Sequence, residues 1–280
     1  MKKIDFRVRP PYGHYLKFYE DLDDLETSAY GHTGTHAPRS VREKSVDLLI
    51  REMDEAEIEM AVIPGRDDFG VTYEELCALS HQYPGRFILF PSVDPLSGQK
   101  ALDEVRRTVL EGEGKGIAIE SGFTPETYFT VDDPRIFPLY QMLEEHQIPL
   151  MINYSAHAMK GMPFDPEAPR RLDIVARKFP SLTLIVAHGG WPWTKECIAL
   201  AMIDRNVYLL PDAYGTIAPG AEDYAKAAKK LAKGKILFGS AHPLAPSGAA
   251  AEYVDREWLL DEDGKREVFY DVAARILKLD

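Results

Sequence analysis

Short apolar, β-branched runs alternate along the chain with stretches in which apolar residues recur at helical spacing. The clearest run is Leu182-Thr183-Leu184-Ile185-Val186-Ala187, closed by His188-Gly189-Gly190-Trp191. A run that is apolar on both faces and punctuated by glycines predicts a strand covered on both sides, as in parallel sheets. Comparable runs fill residues 4–8, 59–64, 86–90, 116–120, 148–153, 206–210 and 235–239. Helical periodicity marks residues 73–83, 100–110, 132–146, 170–179, 194–202, 221–232 and 268–277, with Pro134 suited to a first turn. Val46, Leu49, Ile50 and Met53 add a helix that Ser40 and Glu43 would open as a capping box.

Eight strands alternating with helices, with no break in composition, predict one α/β domain over residues 1–280 and a (β/α)8 TIM barrel. The competing open doubly wound sheet would carry a glycine-rich first turn. Here the first run ends instead in Arg7-Val8-Arg9-Pro10-Pro11.

Parallel barrels do their chemistry at the carboxyl ends of the strands, so the residues standing there are the candidates. They are Arg7 and Arg9, Arg66, Glu120, Asn153 followed by Tyr154, His188 with Trp191, Asp212 with Tyr214, and His242. His188 and His242 belong to the one side-chain type that ordinarily titrates near neutrality, which makes them candidate acids or bases. His242 precedes Pro243, and an outward-facing ring is an equal alternative. Glu120 and Asp212 are carboxylates placed either for proton transfer or to pair with the arginines. Arg7, Arg9 and Arg66 offer a planar fork that matches a carboxylate or phosphate. Asn153 would orient a polar group, while Tyr154, Trp191 and Tyr214 supply stacking surface or plain packing. The loop from Tyr154 to Pro169 is long and rich in Gly, Pro and Met, as a cover over the barrel mouth would be.

Composition narrows the classes of function. A hydrophobic content of 45% with 28% charged residues is globular. No apolar stretch reaches the roughly 20 residues of a membrane helix, and the amino-terminal sequence turns acidic too early for a signal peptide, so a cytoplasmic location is expected. A net charge of −12 argues against a nucleic-acid or anionic-membrane surface and leaves a small anionic substrate in a local basic pocket. Cys77 and Cys197 are isolated and lack metal spacing, which reads as buried structural thiols. His32 and His36 flank Gly34 in a loop and do not read as a metal pair.

Several stretches carry a resemblance: Ile4-Asp5, Asp94-Pro95, Asp133-Pro134-Arg135 with Pro138-Leu139-Tyr140, Ile148-Pro149-Leu150, Phe179-Pro180-Ser181-Leu182, Ala187-His188-Gly189-Gly190, Ile236-Leu237-Phe238-Gly239-Ser240 and Ala273-Ala274-Arg275. In this order they resemble the amidohydrolase superfamily over essentially the whole chain. Within it they resemble the amidohydrolase-related (amidohydrolase 2) branch, which includes aminocarboxymuconate-semialdehyde and γ-resorcylate decarboxylases. The resemblance implies a TIM barrel and a metal site built from His-x-His after the first Asp, histidines ending strands five and six, and an aspartate ending strand eight. At those positions stand Arg7 and Arg9, Asn153, His188 and Ala241, so His188 alone keeps its type.

A transition metal needs about four N, O or S donors, and arginine remains protonated. The departures therefore imply no metal and no cofactor, with Arg7 and Arg9 in its place as an electrophilic clamp. The expected activity is a lactone- or amide-type hydrolase, or a carboxy-lyase, on a small carboxylated cyclic substrate. Two alternatives stay open. One is a binding protein that kept the pocket and lost the chemistry. The other is a metalloenzyme rebuilt from His188, His242, Glu120 and Asp212. Homodimers are common in the family, and an exposed Trp193 or Trp258 would suit such an interface.

Overall fold

The computed structural model describes residues 1–20, 36–120, 129–155 and 164–279. His32 and residues 156–163 of the expected cover lie outside them. Among the described residues, seven strands pair in parallel throughout. β1 (Lys3–Asp5), β2 (Ile58–Pro64) and β3 (Phe87–Phe90) pair in order, as do β4 (Ile117–Glu120), β5 (Leu150–Asn153), β6 (Leu184–Ala187) and β7 (Val207–Leu210).

Backbone hydrogen bonds close both seams. Lys115 N donates to Leu89 O and Ala118 N to Pro91 O, which joins β3 to β4. The segment of residues 235–239 fills the eighth position without forming a regular strand. It bonds to β7 through Leu237 N to Leu209 O, and to the end of β1 through Phe6 N to Phe238 O. The result is the closed TIM barrel that the strand count predicts.

Alternation within each strand explains why the runs are apolar on both faces. Val62, Ile185, Ala187 and Leu237 point into the barrel, while Ala61, Ile63, Leu184 and Val186 point out to the helices. The helices that cover the barrel include α1 (Val46–Glu55), α2 (Tyr73–Gln82), α3 (Gln99–Val105), α4 (Phe137–Glu145), α5 (Ala168–Lys178), α6 (Thr194–Ile203), α7 (Ala221–Lys229) and α8 (Ser247–Glu257). α9 (Val272–Leu277) sends Val272 and Ile276 into the inner cluster. No helix among the described residues is long and apolar enough to cross a membrane.

Several expectations are corrected. Ser40 does not cap a helix, because its hydroxyl donates to Glu52 Oε2 at 2.5 Å; Ser45 caps α1 instead, accepting from Leu48 N at 3.3 Å. The helix expected over residues 100–110 relaxes into a wider turn after Val105. Cys197 is buried, whereas Cys77 is only partly so. Trp193 and Trp258 are 7% and 3% exposed, so neither is available to an interface.

Gly189 and Gly190 both have positive φ. A Cβ on Gly190 would meet Cys197 Sγ, and one on Gly189 would meet the Tyr224 hydroxyl. This turn fixes where His188 stands. Gly190→Ala should lower stability by about 1–3 kcal/mol from strain and the clash, read as a drop in Tm; an unchanged Tm would show that the turn tolerates a side chain.

Candidate active site

Strand register sets the level of the site. Glu120, Asn153, Ala187 and Leu210 are successive partners across β4 to β7, so His188 and Asp212 emerge just above them. His188, Asp212 and Ala241 have φ of 60°, 47° and 57°. Left-handed non-glycine residues are uncommon, and such strain persists where surrounding structure holds it, typically at functional sites.

Arg7 is the hub. Its Nη1 donates to Asp212 Oδ2 at 2.8 Å and lies 2.9 Å from His188 Nε2, while Nη2 is 3.4 Å from Glu120 Oε1. Its backbone is anchored by Asp5, whose Oδ1 accepts from Arg7 N at 3.2 Å and Ser240 N at 2.9 Å. Burial pushes the Asp5 carboxyl up to about 6, against the pull of those hydrogen bonds. Asp212 Oδ1 lies 3.1 Å from His188 Nδ1. Burial alone would raise the Asp212 carboxyl, but His188 and Arg7 hold it below the ordinary carboxylate value. Burial also lowers His188 to about 4 despite the attraction of Asp212, so the ring is neutral at neutral pH. The tautomer that satisfies this network has Nδ1–H donating to Asp212 and Nε2 accepting from Arg7.

The second and third arginines differ from each other. Arg66 pairs with Glu120, its Nε 2.7 Å from Oε2, and rests against Phe18 and Phe69. Arg9 forms no ion pair with a carboxylate among the described residues. Its Nη1 donates to Ala241 O at 3.2 Å, Phe18 covers it at 4.9 Å, and Nε is buried without a hydrogen bond. Burial, with Arg7 and Arg66 nearby, lowers Arg9 to about 9, which leaves it charged at neutral pH. His242 faces inward and is fully buried, and neither ring nitrogen has a partner. Burial and the charge of Arg9 lower it to about 3.

Among the aromatic candidates, Tyr214 meets His188 edge-on at 4.7 Å and Trp191 at 5.4 Å, forming one wall. Tyr154 belongs to packing instead: its hydroxyl donates to Ala168 O and its ring lies on Trp193. Asn153 is buried, with Oδ1 unpaired. Sequence reasoning singled out neither Asp5, the anchor of Arg7, nor Phe18 and Tyr19. The latter two ride on a turn of 3-10 helix, Gly13–Tyr19, in which Tyr15, Phe18 and Tyr19 recur at helical spacing. That periodicity was the available signal.

The sequence matches the family described as Amidohydrolase over residues 23–279. The chain belongs to this amidohydrolase family. No curated protein matches it. A solved structure, the uncharacterized TIM-barrel protein Bb4693 from Bordetella bronchiseptica, is 30% identical, with 99% of each chain covered and a TM-score of 0.89. The 2,6-dihydroxybenzoate decarboxylase from Rhizobium is 16% identical over 100% of this chain and 99% of its own, with a TM-score of 0.71. The 5-carboxyvanillate decarboxylase from Novosphingobium aromaticivorans, solved with manganese and a nitrobenzoic acid, is 17% identical over 99% and 96%, with a TM-score of 0.71.

The described side chains of this amidohydrolase do not assemble a manganese-type site. Among the described residues, no three His, Cys, Asp or Glu side chains are grouped to hold a metal ion. His188, Asp212 and Glu120 do converge, but on the Arg7 guanidinium, a cation that cannot ligate. His242 stands beside Arg9 and does not join them, so a rebuilt donor set of these four residues is not assembled.

Two predictions follow from these charges. Arg7→Met would leave Asp212 buried without its guanidinium and should cost about 3–5 kcal/mol at neutral pH, measured by denaturant unfolding. A loss near zero would mean that Asp212 is otherwise satisfied. Acid should also destabilise the protein. Between pH 6.5 and about 4, unfolded His188 and His242 bind protons that the folded protein refuses, so stability falls with pH. Asp5 acts oppositely, holding a proton when folded between about 6 and 3.8, and burial raises Asp204 in the same sense, but the two histidines titrate over the wider range. Tm should therefore fall from pH 6.5 to 4, and His242→Phe should flatten the slope; a level wild-type profile would contradict this.

Proposed function

We propose that this amidohydrolase is a metal-independent hydrolase of the lactone or amide type, acting on a small carboxylated cyclic substrate. The observation that carries the reading is the Arg7 guanidinium lodged between Asp212, Glu120 and the neutral His188. A fixed cation beside a neutral imidazole suits a reaction in which negative charge develops on a carbonyl oxygen. When a carbonyl oxygen draws Arg7 Nη1 to itself, His188 Nε2 loses its donor and becomes free to accept a proton from water. Asp212 holds Nδ1 and stabilises the imidazolium that results. The hydroxide adds to the carbonyl carbon, the tetrahedral oxyanion rests on Arg7, and the imidazolium returns its proton to the leaving oxygen or nitrogen.

The second reading is a carboxy-lyase, favoured by the hydroxybenzoate substrates named for similar structures. It uses the arginines less well. Clamping the scissile carboxylate stabilises the ground state, because decarboxylation carries charge away from that group.

The test is a panel of carboxylated lactones and hydroxybenzoates, assayed for ring opening and for CO2 release, with and without chelator, on protein prepared without a histidine tag. Ring opening unaffected by chelator, and lowered about 10²–10⁴-fold by His188→Ala, is the expected result. CO2 release in its place would select the lyase. Activity that vanishes with chelator would overturn metal independence. Ligand-induced stabilisation with no turnover would select a binding protein.

A further inference from the structure

Resting on the hydrolytic reading, we propose that Arg9 and His242 form a separate anion subsite, which seats the carboxylate of the substrate while its reacting carbonyl faces Arg7 and His188. Charge pairing leads to this division. Asp212 pairs with Arg7, and Glu120 with both Arg7 and Arg66, so among the described residues Arg9 is the one of these three buried guanidinium groups with no ion pair.

A buried charge without a partner is costly, and a protein keeps one where a ligand completes it. Independent of charge, three buried polar atoms at this place lack hydrogen bonds: Arg9 Nε and both ring nitrogens of His242. Buried polar groups are otherwise almost always satisfied. The two residues are neighbours by construction. Arg9 N donates to His242 O at 2.9 Å, and Arg9 Nη1 binds the carbonyl of Ala241, the residue before His242. Phe18 covers the guanidinium face at 4.9 Å, so a ligand would meet the edge of the fork.

A planar carboxylate suits that edge, taking the N–H groups of the guanidinium and one N–H of the neutral imidazole. An aromatic or cyclic acid would place its ring away from Phe18, towards the Tyr214 and Trp191 wall. The carboxylate then serves as a handle whose binding energy orients the reacting carbonyl; it is not itself the reacting group.

The probe is benzoate, with benzamide as its neutral counterpart, titrated calorimetrically into the full chain. Benzoate should bind and benzamide should not. Arg9→Met should weaken benzoate at least about tenfold and His242→Phe several-fold, whereas His188→Asn should keep benzoate affinity while losing turnover. Arg9→Met should also hold or raise Tm, because it removes an unpaired buried charge, a result that a structural arginine would not give.

Equal affinity for benzoate and benzamide, undiminished benzoate binding in Arg9→Met, equal losses in His188→Asn and Arg9→Met, or a lowered Tm in Arg9→Met would each overturn the subsite. If Arg9-dependent binding is found but no lactone is opened, the hydrolytic reading fails and the subsite stands.

Discussion

A guanidinium taken out of water has to be met by negative charge, and the mouth of this barrel is arranged around that requirement at Arg7. Glu120 from β4 and Asp212 after β7 reach it from opposite sides of β6, and His188 fills the space between. Asp5 fixes the backbone that presents it. The arrangement fixes a positive centre at the barrel mouth with a side chain. Charge held by a side chain neither dissociates nor waits on deprotonated ligands, whereas a bound metal does both.

The three arginines are not equivalent. Arg7 and Arg66 are built into ion pairs, while Arg9, against Phe18 and a backbone carbonyl, has no ion pair among the described residues and feels Glu120 and Asp212 only at a distance. The cost of keeping Arg9 charged shows in its lowered pKa and in that of its neighbour His242. One mouth thus holds two electrostatic environments, a neutralised one around His188 and an electron-poor one beside it. In the proposed subsite, such separation would let a reacting group and a recognition group of one small molecule be handled by different charges.

The barrel was legible in the sequence because parallel strands covered on both sides must be apolar throughout, and Leu182 to Ala187 obeys that rule. His188 and Asp212 were legible as polar residues ending such runs. Which arginine each carboxylate would neutralise was not, since that depends on how the ends of β1 and β2 meet those of β4 and β7 across the barrel rather than on any local pattern. Trp193 and Trp258 show a related limit: aromatic residues suggested an interface, but both are absorbed by the barrel's own packing. α8 went unread because Ser247-Gly248-Ala249-Ala250-Ala251 carries no large apolar stripe; it packs through small residues. Ser40 was misassigned for a competing side-chain partner, Glu52, twelve residues away.

The bond between Asp5 and Ser240 spans 235 positions of sequence. It supports Arg7 from one side and the turn carrying Ala241 and His242 from the other. Closing so long a loop costs entropy that grows only slowly with its length, but the bond has no counterpart until both ends have found each other. Arg7, Arg9 and His242 therefore take their places together, when the two ends of the chain meet. A partly assembled barrel, with β2 to β7 already paired, has the walls of the site and Arg66, while Arg7 and Arg9 come into place only when β1 joins the segment that follows β7.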